Sequence, residues 1–167
     1  TTIMKRNLLF YSLLAIPLLG VAQTSKTGIA ISEQPYISNV WNPDLGNGMY
    51  KNPVINADYS DPDVICVGDD YYMTASSFNC IPGLPILHSK DLVNWELIGH
   101  AVTKLQPESE FDKPSHGNGV WAPCISYHNG EFYIYWGDPD YGVFMVKTKD
   151  PAGKWEEPVC VISGKGM

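Results

Sequence analysis

Between Asn56 and Asp63 the sequence reads Asn-Ala-Asp-Tyr-Ser-Asp-Pro-Asp, so the carboxylates of Asp58, Asp61 and Asp63 fall within six positions. A carboxylate at the mouth of a shared pocket suits a general base, which takes a proton from water as that water attacks. The same residues suit a plainer role as well. Asp-Pro opens strands, because proline is tolerated at a first strand position and aspartate there is solvated. His88, His100, His116 and His128 form neither an i, i+4 pair nor a cluster, so no metal ligand set is assigned. Cys66, Cys80, Cys124 and Cys160 contain no Cys-x-x-Cys spacing, which leaves zinc ribbons and thioredoxin-like redox motifs without support. A disulfide stays open as one reading. The other is that Cys66 and Cys124, set in apolar runs, pack as small hydrophobes.

Any such carboxylate must be positioned by the elements around it. After Tyr50 the chain consists of short apolar runs rich in Val, Ile, Tyr and Trp, punctuated by Gly, Asp, Asn and Pro, which are strand and turn signals. The pattern predicts strands over 64–67, 71–77, 84–89 and 95–99, then over 122–128, 131–137, 142–148 and 155–161. Gly68-Asp69-Asp70 and Asn129-Gly130 supply tight turns. Past residue 22 no segment of ten or more residues carries a helical period.

The two groups of four are copies of one another. Pro62 and Pro123, Asp91 and Asp150, and Trp95 and Trp155 lie 61, 59 and 60 residues apart. A repeat of four short antiparallel strands is the unit of a β-propeller, whose blades bury their faces against one another around a central channel. The periodic Trp95 and Trp155 are expected in the blade cores. A closed propeller takes about 4 to 8 blades, so two are expected to be the opening part of a longer protein. The innermost strand of each blade lines the channel, and Asp61 stands just before the first of them.

Composition agrees with an all-β globular protein. Of 167 residues, 44% are apolar and 17% charged, enough to fill a core and far from the disordered class. A net charge of −7 argues against nucleic acid as a partner. The ten Tyr and five Trp offer flat faces with polar edges, suited to sugar rings. At the N-terminus, Lys5-Arg6, an apolar run from Leu8 to Val21 and the small residues ending at Ala22 read as a secretory signal peptide with residues 1–3 upstream of it. The expected layout is a signal peptide over 1–22, a polar leader over 23–50 and two blades over 51–167, in a secreted or periplasmic protein with no membrane contact after cleavage. Within the leader, residues 44–48 look faintly like a calcium loop but read better as a solvated turn.

Several segments, in order and at compatible spacing, resemble glycoside hydrolase family 43. They are Lys51-Asn52-Pro53-Val54, Tyr59 to Ile65, Gly68 to Met73, Ser76-Ser77-Phe78, Pro82-Gly83 and His88 to Trp95, followed by Gly119 to Pro123 and Ser126-Tyr127-His128. The flavour is that of the β-xylosidase and α-L-arabinofuranosidase branch. The resemblance implies a five-bladed propeller and an inverting glycosidase acting on xylosides or arabinosides of plant hemicellulose, with oligo- or polysaccharide as its partner. It also implies that Asp61 is the general base, with Asp58 and Asp63 as lesser rivals. Phe78 would pack against the bound sugar, and Trp121 and Ala122 would line the same pocket, although interblade packing is the alternative for both aromatics. No cofactor is implied. Some members hold a calcium ion in the channel, which this sequence does not reveal. Inversion needs two carboxyl groups about 6.5 to 9.5 Å apart. In the family the second Asp would fall just past Met167 and the acid Glu in a later blade, so the 167-residue chain is expected to be inactive alone. The rival readings are a non-catalytic carbohydrate-binding propeller and a retaining β-fructosidase, although the latter group has Asn-Asp-Pro-Asn-Gly where this chain has Ser60-Asp61-Pro62-Asp63.

Overall fold

The structure, a computed structural model, describes residue 31 and residues 33–166. The expected signal peptide lies outside the described residues. Eight strands form two sheets, each in simple antiparallel order. Blade 1 contains β1 (Asp63–Val67), β2 (Asp70–Thr74), β3 (Gly83–Ser89) and β4 (Glu96–Val102). Blade 2 contains β5 (Trp121–His128), β6 (Glu131–Asp138), β7 (Gly142–Thr148) and β8 (Val159–Ser163). The one helix among the described residues is a single turn, α1 (Glu108–Phe111), in the connection between the blades. The all-β expectation and the two four-stranded units are met.

Alternation along each strand decides which face is buried. Tyr72, Leu84, Ile86 and Ile98 of blade 1 meet Ile125, Phe132, Ile134 and Trp136 of blade 2 in one core. Each such fully buried side chain is worth about 1.5–3 kcal/mol relative to exposure. The Tyr72 and Phe132 rings meet edge to face at 4.9 Å. The repeat accounts for this geometry. Tyr72 of blade 1 corresponds to Tyr133 of blade 2, which points the opposite way from Phe132, so the two blades are stacked in sequence rather than mirrored. β1 and β5 approach each other along the seam, as innermost strands of neighbouring blades must.

Four sequence expectations are corrected. The second strand stops at Thr74 rather than Ser77, because Ser76 and Phe78 spend their amides outside the ladder, on the Ser60 and Val120 carbonyls. The last strand begins at Val159, not Trp155, since residues 149–154 form a turn and, although the Glu156 amide donates to the Lys147 carbonyl, Pro158 has no amide with which to continue a ladder before Val159. Trp95 is half-buried, unlike Trp155, which is 5% exposed. Trp155 is covered by blade 1, whereas Trp95 looks onto a cavity of about 240 Å³ shared with Tyr36 and Trp41 of the leader. Finally, Cys66 and Cys124 are exposed, because alternation turns them away from the core side on β1 and β5, and all four cysteines are free thiols.

The leader, in its described part, packs against blade 1. The Trp41 indole donates to the Pro53 carbonyl, Lys51 sits over the Trp41 ring, and Asn94 donates to Asp44. Residues 44–48 form the expected turn, with the Gly46 amide donating to Asp44 Oδ1.

Candidate active site

The turn before β1 presents Asp61 in the left-handed region at φ 49°, which a short polar side chain tolerates better than most. Its Oδ2 accepts two hydrogen bonds, from Ser76 Oγ at 2.8 Å and from Ser60 Oγ at 2.9 Å. Hydrogen bonds from Ser76 and then Ser60 hold the Asp61 carboxyl below its ordinary value, against a small opposing effect of desolvation. Asp61 is therefore ionised at neutral pH, exposed, and held by one oxygen. Among the described residues, no hydrogen bond reaches the other oxygen.

Ala122 occupies the matching position in blade 2, inside the irregular start of β5 between Trp121 and Cys124, and is also left-handed, at φ 36°. Its amide donates to Ser76 Oγ at 2.8 Å, so the two turns are joined through one hydroxyl. Phe78 follows two residues later and is half-buried; its amide and carbonyl pair with those of Val120 across the seam. This close approach requires glycine next door. A side chain at Gly119, which has φ +103°, would fall onto the Phe78 carbonyl. Trp121 opens β5 with 43% of its surface exposed, and its indole N–H is tethered to the Gly117 carbonyl. Packing between these two blades therefore does not account for Trp121, while Phe78 stands between core and cleft.

Asp61, Phe78, Trp121 and Ala122 thus gather on one seam, at the ends of β1 and β5. A cleft of about 300 Å³ beside it is lined by Asp58, Ser60, Ser76, Phe78, Pro82 and His100, among others. Asp58 makes no side-chain hydrogen bond among the described residues and faces that cleft. Asp63 is committed to structure, since its Oδ2 accepts from the Ile125 amide at 2.8 Å and so fastens β1 to β5. Sequence reasoning passed over Ser60 and Ser76. Both stood inside quoted motifs, and the signal available was that hydroxyls flanking an exposed carboxylate are donors it will use. Among the described residues, no group of three or more His, Cys, Asp or Glu is placed to hold a metal ion.

The arrangement offers an ionised, partly tethered carboxylate with one oxygen open to a water, next to a cleft that Phe78 lines and that Trp121 and Ala122 do not. Comparison with known proteins addresses the family. The family model for glycosyl hydrolases family 43 matches residues 50–167. A non-reducing end alpha-L-arabinofuranosidase of Bacteroides ovatus is 42% identical over 124 residues, covering 72% of this chain and 23% of that protein. A beta-xylosidase of Formosa agariphila is 42% identical over 122 residues, covering 71% of this chain and 21% of that protein. Among solved structures, a Bacteroides ovatus xyloglucan-locus protein of the same family superimposes with a TM-score of 0.55 at 43% identity, over 65% of this chain and 22% of that one. The chain spans less than a quarter of the length of these relatives. With the family model covering most of its length, and both blades and the seam in place, the chain belongs to glycosyl hydrolases family 43.

Proposed function

We propose that this chain carries the first two blades of a five-bladed, exo-acting, inverting glycosidase that removes xylose or arabinose units from plant hemicellulose. The observation that carries the reading is Asp61: an exposed carboxylate held ionised at the interblade seam, beside Phe78 and Trp121. In the reaction Asp61 takes a proton from water through its unbonded oxygen as the water attacks the anomeric carbon from the face opposite the leaving group. A second carboxyl group, outside this chain, protonates the departing oxygen. The aromatic faces bind the sugar by stacking, and Ala122, small at its position, leaves room beside the base.

The names of the relatives, xylosidases and arabinofuranosidases, support the substrate class. Lys5-Arg6, the run from Leu8 to Val21 and Ala22 support export to the periplasm or medium. The net charge of −7 favours a neutral saccharide over nucleic acid as partner. No described helix is long and apolar enough to cross a membrane.

The test is the stereochemistry of the first product. The full-length protein, given an aryl xyloside or arabinofuranoside, is expected to release sugar of inverted anomeric configuration, read by proton NMR before mutarotation. A retained anomer, or no hydrolysis of either glycoside, would overturn the reading.

A further inference from the structure

We propose that Ser76 is a positioning residue for the Asp61 carboxylate, transmitting the docking of blade 2 to the group that activates water. This rests on reading Asp61 as the base. A serine hydroxyl has one proton to give and two lone pairs to receive with. The Ala122 amide is a donor only, so at 2.8 Å it fixes Ser76 Oγ as its acceptor. The hydroxyl proton is left for Asp61 Oδ2, also at 2.8 Å, and an ionised carboxylate only accepts. The relay therefore runs one way, from the backbone of blade 2, through blade 1, onto the carboxylate.

Ser76 is also built to hold still. It is 9% exposed, and its own amide donates to the Ser60 carbonyl at 2.9 Å, which fixes the turn that carries Asp61. Ser60, the second donor to Oδ2, adjoins Asp61 in sequence and brings no constraint from the other blade. Ser77, next along the chain, faces elsewhere, and its Oγ accepts from the Leu84 amide at 3.0 Å. With Oδ2 engaged by two hydroxyls, Oδ1 is the oxygen presented to water. Loss of the Ser76 donor releases the rotation of the carboxylate and weakens the preference for its charged form.

The experiment is the pH profile of kcat/KM in the full-length protein. Ser76→Ala, and the nearly isosteric but weakly donating Ser76→Cys, are expected to move the acid limb upward by about half to one pH unit. Both are also expected to lower kcat by about 10- to 100-fold with KM little changed. Ser76→Thr, which keeps the hydroxyl, holds the limb in place, and so does Ser77→Ala, which tests a purely structural role. An acid limb unmoved in both Ser76→Ala and Ser76→Cys, while Asp61→Asn is inactive, overturns the role of Ser76 and leaves the base intact. Full turnover in Asp61→Asn instead overturns the base itself.

Discussion

The two blades share a backbone and differ where chemistry is concerned. Asp61 and Ser76 of blade 1 correspond, 61 residues on, to Ala122 and Gly137 of blade 2. Both turns place a left-handed residue before proline, at φ 49° and 36°. Blade 1 fills that position with a carboxylate and supplies a hydroxyl to hold it. Blade 2 has neither side chain, and its turn contributes a backbone amide to the serine of blade 1. The repeat thus provides one scaffold used twice, once for the carboxylate proposed as the base and once for the backbone tether beside it. The same divergence recurs away from the seam. Asp70 pairs with the buried His88 at 2.6 Å and with Lys90 at 2.7 Å, while the equivalent Glu131 pairs with Lys147 at 3.4 Å. For Asp70, burial pushes the carboxyl up, but the Lys90 and His88 hydrogen bonds more than offset it and its value falls.

The sharpest way to break this comparison is to remove the charge that separates blade 1 from blade 2. Asp61→Asn in the full-length protein keeps the shape and the hydrogen-bond acceptor but removes the proposed base, and turnover is expected to fall about 10²- to 10⁴-fold. Steady-state rates on an aryl pentoside, with circular dichroism to confirm folding, decide the matter; an unchanged rate removes Asp61 from the mechanism. The 167-residue chain by itself is expected to release no nitrophenol from such substrates, and measurable release would show that the acid lies within it.

Next in size is the contrast between the two periodic tryptophans. Each indole donates back to a carbonyl in the preceding turn, Trp95 to Leu92 and Trp155 to Pro151. Their surroundings are unequal, since Trp155 lies under blade 1 and Trp95 faces the leader. Trp155→Ala is expected to cost about 3–5 kcal/mol, and Trp95→Ala about half that, in urea unfolding of the full-length protein. Equal costs would mean that the leader covers Trp95 as completely as a blade would.

Much of this was legible in the sequence, for identifiable reasons. Alternating apolar runs and Gly- or Asn-centred turns gave seven of the eight strands to within three residues, because period-two burial leaves a local trace. The repeat located both tryptophans but not their burial, which depends on what covers each blade from outside. Asp61 was singled out by its motif, whereas its attachment to Ser76 was not. That bond spans fifteen residues and depends on how the blade packs, not on local pattern. The bond of Asp63, the lesser rival, was hidden for the same reason, its partner being an amide 62 positions away. Asp63→Ala, which leaves the buried Ile125 amide without its acceptor, should accordingly cost about 1–3 kcal/mol of stability while sparing most of the turnover, the opposite of Asp61→Asn.

The smallest predicted effect comes from the residue after Gly137. Asp138 matches Ser77 of blade 1, and both are buried, but a serine there carries no charge to desolvate. Burial pushes the Asp138 carboxyl up, although the Asp140 and Tyr141 amides lower it in part. A carboxyl whose folded value is raised favours the folded state at low pH, and that contribution is lost as pH rises through the folded value. At neutral pH the ionised side chain is therefore a modest cost. Asp138→Asn keeps an acceptor for the Asp140 amide, which donates to Oδ1 at 2.9 Å, and removes the charge. It should raise stability at pH 7 by about 1 kcal/mol or less, with the gain shrinking towards zero as the pH falls to about 4. Thermal unfolding of both proteins across that range reads the difference directly. A gain that stays constant with pH would assign the effect to packing, and a loss at pH 7 would show that blade 2 uses the Asp138 charge.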